Sequence, residues 1–149
     1  MLLAIASTIY RHGDQSEYPM ATYQKIAMIY DIRYLGHGCE RVAFLLPDGT
    51  VGKFTRNPSY TNQQEAEIEN WRRCKEAMVS DPDRFVGWGV PDMELIYTPV
   101  APVIVAEYIE ADTDGVSGFT NPWNARDAHY DNIRQRDGVR YIIDLGFAF

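Results

Sequence analysis

Two short apolar runs flank Pro47-Asp48-Gly49-Thr50, and that arrangement constrains the fold more than any other stretch of the chain. Val42, Phe44 and Leu46 alternate before the turn, and Val51-Gly52-Lys53-Phe54 follows it. Period-two alternation makes a strand with one buried face. Pro-Asp-Gly-Thr makes a tight turn between strands, so the two runs predict an antiparallel hairpin. Lys53 then lies inside an apolar strand, where its charge is costly unless it finds a partner or reaches solvent at an edge.

A helix follows the hairpin. Thr61-Asn-Gln-Gln64 has capping-box form, with Thr61 as N-cap and Gln64 at N3; the helix runs to about Val79 and stops at Ser80-Asp81-Pro82. Glu67, Trp71, Cys74 and Met78 recur at i, i+4, i+7 and i+11, one stripe along the inner face. Glu65 and Glu69 lie about 160° from Glu67 at roughly 100° per residue, so they should face water. A carboxylate on an apolar stripe needs a cation, and Lys53 is the nearest candidate; the alternative is that Glu67 borders the buried face and solvates the helix. Upstream, Leu2 to about Arg11 and Met20 to about Ile29 read as helices, the second with a stripe of Met20, Tyr23, Ala27 and Tyr30. Strands are expected near residues 31–35, 41–46, 51–56, 94–98 and 102–108. A last hairpin near 132–134 and 140–144 should turn at Asp137-Gly138. The fold class is α+β with mostly antiparallel pairing.

Three further groupings carry chemistry. Leu35-Gly36-His37-Gly38 precedes the first alternating strand, and glycines there let backbone N–H groups come close to phosphate oxygens; a plain hairpin turn is the alternative. Asp127-Ala128-His129-Tyr130-Asp131-Asn132 and Asp144-Leu145-Gly146 supply an aspartate, an asparagine five residues on, and a second aspartate after an apolar strand. Those residue types suit phosphoryl transfer from ATP: a base for an acceptor hydroxyl and two hard oxygen ligands for Mg2+.

In this order, Gly36-x-Gly38, Val51-x-Lys53, Glu67, Asp127-x-His129-x-x-Asn132 and Asp144-Leu145-Gly146 resemble the protein-kinase-like superfamily. The Asp-x-His-x-x-Asn form is similar to aminoglycoside-phosphotransferase-type kinases, and the brevity to compact kinase-like proteins of bacterial viruses. The resemblance covers about Tyr34 to Phe149. It implies a kinase small-lobe-like twisted antiparallel sheet with one helix, two extra N-terminal helices and a catalytic-loop hairpin, without a full helical C-lobe. Gly36 and Gly38 would cover the phosphates. Lys53 would hold the α- and β-phosphates, paired with Glu67. Val42 and Val51 would sandwich the adenine, and the backbone of the Glu107–Ile109 hinge would bind its edge. Asp127 would orient or deprotonate the acceptor, His129 would stand near the transferred phosphate or brace the loop, and Asn132 and Asp144 would bind magnesium. Arg41 replaces the third glycine, and only about twenty residues separate Glu107 from Asp127, where the resemblance implies two helices.

A chain of 149 residues with 46% hydrophobic content supports one minimal domain: residues 1–30 a helical extension, 31–109 the sheet and helix, 110–149 the catalytic segment. One N-terminal helix is expected to pack where the missing lobe would be or to make a homodimer contact; covering one face of the sheet is the simpler alternative. Net charge −7 and a pI near 4.9 argue against nucleic-acid or anionic-membrane partners. Cys39 and Cys74 lack metal-ligand spacing, and a reducing cytoplasm (a host cytoplasm, if the chain is viral) fits them. The expected activity is transfer of a phosphoryl group from Mg-ATP to a protein or small-molecule hydroxyl, the chain itself included. The alternative is a kinase-derived binding module that docks a partner protein without turnover.

Overall fold

The computed structural model describes residues 1–12, 17–110, 113–114 and 132–144. In chain order the elements are α1 (Leu2–His12), α2 (Pro19–Tyr30), β1 (Arg33–His37), β2 (Arg41–Leu45), β3 (Thr50–Thr55), α3 (Asn62–Ser80), β4 (Trp88–Gly89), β5 (Met93–Tyr97), β6 (Pro102–Glu107), β7 (Thr113–Asp114), β8 (Ile133–Arg136) and β9 (Val139–Ile142). The chain divides into two compact units, Met1–Glu65 with Met93–Tyr108, and Ala66–Asp92 with Ile109–Phe149.

The first unit carries a five-stranded antiparallel sheet ordered β1-β2-β3-β6-β5, and in sequence α3 lies between β3 and β5. That is the arrangement the kinase-small-lobe resemblance implies. The β2–β3 hairpin forms at Pro47–Thr50, where the Asp48 carboxylate accepts from the Thr50 N–H at 3.0 Å and the Thr50 hydroxyl at 2.6 Å. Those bonds hold the Asp48 carboxyl below its usual range.

Alternation decides what each face of this sheet does. Val42, Phe44, Phe54 and Val103 are buried on one face, together with Ile5, Ala6 and Ile9 of α1 and Tyr23, Ile26 and Ala27 of α2. Both N-terminal helices therefore cover this face of the sheet, which is the simpler of the two arrangements expected for them. Hydroxyls tie the layers together: Thr8 meets Tyr30 at 2.6 Å between the helices, and Tyr10 meets Thr55 at 2.6 Å between α1 and β3. Of the expected stripe on α2, Tyr23 and Ala27 are buried and Tyr30 packs against the core, while Met20 is 54% exposed and Ile26 is buried beside them.

Strand β1 begins two residues later than the sequence suggests because Asp31 closes α2 in the left-handed conformation, φ 52°. The Ile32 N–H reaches back to the Ala27 carbonyl at 3.0 Å, so residues 31 and 32 belong to the helix end.

In the second unit the β8–β9 hairpin turns at Asp137-Gly138, with φ 52° and 79°, the pair of positive angles a two-residue type I′ turn demands. A four-stranded sheet ordered β4-β9-β8-β7 surrounds it, including a short parallel pairing of Trp88 with Arg140 that the sequence did not signal. Trp71 donates to the Pro91 carbonyl at 2.8 Å, and Lys75 pairs with Asp92 at 3.2 Å. Cys74 is fully buried and its thiol is pushed up to about 12 by desolvation, so it acts as a small apolar side chain. Among the described residues no helix is long and apolar enough to cross a membrane.

Gly52 is a sensitive point of this core. A Cβ there would lie 2.8 Å from the Phe54 ring and 3.3 Å from Leu46, and Phe54 is held edge-on against Phe44 at 6.0 Å. Gly52→Ala is expected to lower unfolding free energy by about 1–3 kcal/mol through overpacking, despite alanine's lower backbone entropy cost. The midpoint of urea denaturation checks this.

Candidate functional site

Strand register sets Gly36, Ala43, Lys53, Ile104 and Leu95 in one row across the five-stranded sheet. The adjacent row on the same face holds Leu45, Val51, Ala106 and Met93. Both rows belong to the face opposite α1 and α2. With neighbouring strands about 4.8 Å apart, the Gly36 backbone stands about 10 Å from that of Lys53.

The same register corrects one expectation. Val42 pairs with Phe54 and is 1% exposed within the helix-covered core, so it lies on the other side of the sheet from Val51. One ligand cannot touch both side chains. Ala43, half-buried and paired with Lys53, is the β2 residue on the Val51 face. The sequence contained the signal, because Val42, Phe44 and Leu46 form one alternating core stripe and leave Ala43 to the opposite face.

The turn between β1 and β2 is open above and anchored below. A bulge falls between Tyr34 and Gly36, and Gly36 sits at φ 157°. Side-chain positions built on Gly36 or Gly38 would meet nothing within 4 Å, so a ligand can approach this backbone closely. The Gly38 N–H is committed to the Arg41 carbonyl at 2.9 Å, so this donor closes the turn instead of facing outward. Arg56, which sequence reasoning missed, holds the turn from beneath. Its side chain donates to the carbonyls of Gly38 at 2.9 Å and Cys39 at 3.3 Å, and to the Tyr23 hydroxyl at 2.7 Å. No motif marks such an arginine; only the fold brings residue 56 under residues 38 and 39.

His37 turns the same way. Its Nδ1 hydrogen-bonds the Tyr34 hydroxyl, and its ring meets Tyr23 edge-on at 5.3 Å. Desolvation, with the Arg56 charge second, lowers its pKa from 6.5. Glu40 places an acid in the same turn, and its Oε2 is buried without a hydrogen-bond partner.

Helix α3 begins with a correction. Gln64 is fully buried, and its side chain donates to the carbonyls of Lys53 at 2.6 Å and Pro102 at 3.2 Å instead of folding back as a capping box. The first turn of α3 is thus fastened to β3 at the position of Lys53. Further along, Glu67 is 0% exposed, while Glu65 and Glu69 face solvent, as helical phase requires. Glu69 pairs with Arg72 at 3.8 Å and Arg73 at 3.6 Å on the exposed side.

Glu107 ends β6 opposite Thr50 and is exposed, while Ile109 is buried. In the second unit, Asn132 and Asp144 flank the β8–β9 hairpin. The Ile143 N–H donates to the Asn132 carbonyl at 2.9 Å, beyond the Ile133–Ile142 pair, which brings Asn132 and Asp144 to the same end of the hairpin. An amide and a carboxylate there are hard oxygen donors of the kind magnesium takes alongside phosphates and water. Among the described residues, no group of three His, Cys, Asp or Glu could hold a metal by itself. Asp127, His129 and Gly146 lie outside the described residues.

This geometry has two measurable outcomes. Gln64→Leu removes one donor from each of two carbonyls and is expected to cost about 1–3 kcal/mol of stability by chemical denaturation. The unfolded chain protonates His37 near pH 6.5, before the folded chain does, so its contribution is intact above that value and is lost as pH falls through the lower folded pKa. His37→Gln should therefore flatten the loss of stability seen in the wild type on acidification below about pH 6.5, read from denaturation midpoints across a pH series.

No protein-family profile matches the chain, and no curated protein matches it. Among solved structures, the chain is similar to the streptomycin-ATP-APH(2")-IIa ternary complex, at 18% identity and a TM-score of 0.38, over 68% of this chain and 32% of that one. It is also similar to the ADP-bound aminoglycoside phosphotransferase APH(2'')-Ib, at 20% identity and a TM-score of 0.35, over 62% of this chain and 29% of that one. The chain spans about a third of the length of these structures.

Proposed function

We propose that the chain binds Mg-ATP at the sheet face that carries Lys53 and transfers a phosphoryl group to a protein or small-molecule hydroxyl, its own included. The observation that carries this reading is the row Gly36, Ala43, Lys53. It sets a lysine about two strand spacings from an open glycine turn, on the face that α1 and α2 do not cover. In this reading Ala43 and Val51 contact the base and the backbone from Glu107 to Ile109 meets its edge. Lys53, paired with Glu67, holds the phosphates beneath Gly36 and Gly38. Asp127 takes the proton of the attacking hydroxyl, and His129 stands near the transferred group. Asn132 and Asp144 hold the magnesium, whose charge offsets that of the β- and γ-phosphates. Positioning and electrostatics supply most of such catalysis, so few residues suffice.

One observation favours a second reading, a binding module without turnover. Glu40 places a carboxylate in the turn that would cover the phosphates, where like charge opposes them.

A thermal shift with ATP, with and without magnesium, on the wild type and Asp144→Ala tests the binding. A specific ligand at a hundred times its dissociation constant adds about 2.7 kcal/mol of stability; that gain should need magnesium and vanish in Asp144→Ala. No shift for the wild type at millimolar ATP contradicts the proposal. Transfer from radiolabelled ATP then separates the two readings, since Asp127→Ala should slow an enzyme by about 10²–10⁴. Glu40→Gln should tighten nucleotide binding by about 1 kcal/mol, roughly fivefold, on removal of the like charge.

A further inference from the structure

The geometry points to Arg56 as a positioning residue that fixes the glycine turn and couples it to helix α2. Arg56 stands one residue beyond β3 and holds three consecutive carbonyls of the turn. Its guanidinium takes Gly38 at 2.9 Å and Cys39 at 3.3 Å, and its own backbone N–H takes Glu40 at 2.8 Å. The opposite edge of the guanidinium donates to the Tyr23 hydroxyl at 2.7 Å, and its carbon lies 5.8 Å from the centre of that ring. Tyr23 is a fully buried residue of α2, packed edge-on against both Phe44 and His37. The turn is thus fastened through one arginine to the most buried aromatic of the N-terminal helices.

Peptide planarity gives this anchor a consequence. A carbonyl and the N–H of the next residue point to opposite sides of a trans peptide. When Arg56 gathers the carbonyls of residues 38, 39 and 40, the N–H groups of Cys39, Glu40 and Arg41 are turned away from it. Nη1 takes both carbonyls while Nε, fixed in the same rigid plane, takes the hydroxyl; a lysine ammonium, a point charge on a flexible stem, does not hold that spacing. His37 lies against the same Tyr23 ring, and its protonation would set a second cation near the guanidinium. Helix α2 thus does more than cover the sheet: through Tyr23 it holds the turn in one conformation. Any effect on nucleotide affinity rests on the proposed function; the anchoring does not.

Hydrogen exchange on the full chain without nucleotide tests the anchor directly. In Arg56→Lys, the amide of Gly38, whose N–H closes the turn on the Arg41 carbonyl, should exchange about tenfold faster or more, as expected on losing charge-assisted hydrogen bonds. Amides of Phe44, Phe54 and Val103 should keep their wild-type rates. Tyr23→Phe, which removes only the hydroxyl, should give a smaller rise of about threefold at the same amide, and it decides the matter if the arginine variant fails to fold. Unchanged exchange in the turn, or a rise spread evenly over the sheet, overturns the assignment. In parallel, titration with Mg-ATP should show affinity falling about tenfold in Arg56→Lys. Absence of ATP binding by the wild type would end the proposed function while leaving the exchange result to decide the role of Arg56.

Discussion

Burial of one face of a five-stranded sheet under α1 and α2 is the constraint on which the rest of the first unit depends. Ile5, Ile9, Tyr23, Phe44 and Phe54 are each at most 1% exposed, and burying side chains of this size contributes about 1.5–3 kcal/mol apiece. A slip of one residue in any strand would exchange its two faces, so that burial holds the register. With Phe44 and Phe54 directed into the helices, Ala43, Val51 and Lys53 must point the other way. A charged lysine in the middle of a sheet is tolerable only on the face those helices do not cover. Hydrophobic packing at the back therefore determines where the chemistry at the front can be.

The same core reaches the turn that would meet phosphates. Tyr23 belongs to the buried layer and also accepts from Arg56, which grips the Gly38 and Cys39 carbonyls. A glycine turn needs backbone exposure to admit a ligand, and that exposure ordinarily brings mobility with it. Here the arginine restrains the turn from below while Gly36 and Gly38 keep it clear above. On the far side of β3, Gln64 bonds the first turn of α3 to the carbonyl of Lys53, so the strand bearing the lysine is tied directly to the next helix. Glu40 works against this design if a triphosphate is the ligand, and its buried carboxylate oxygen marks a local conflict of the kind functional sites carry.

Much of the fold was legible because it rests on local signals. Alternation with Pro47-Asp48-Gly49-Thr50 specified β2 and β3, Asp137-Gly138 specified the last hairpin, and helical phase separated buried Glu67 from exposed Glu65 and Glu69. What escaped were features decided by long-range packing. Thr61 and Gln64 fit a capping box by spacing, yet the sheet offered Gln64 two carbonyls and took its side chain. The resemblance implied a ligand contact for Val42, although its own alternation with Phe44 places it in the core. Arg56 has no signature at all, since its partners are residues 23, 38 and 39. Of the candidate site residues, register sets Gly36 and Lys53 in one row of the sheet, and Asn132 and Asp144 stand at one end of the last hairpin.

Register divides the sheet between residues 42 and 43 into a face packed under α1 and α2 and a face carrying Ala43, Val51 and Lys53, where the proposed ligand would bind. Methyl NMR spectra recorded during titration with Mg-ATP test it at single residues. The account predicts that the methyl signals of Ala43 and Val51 move on saturation while those of Val42 and Val103, beneath the helices, stay in place. Shifts at Val42 and Val103 with Ala43 and Val51 unmoved would contradict it.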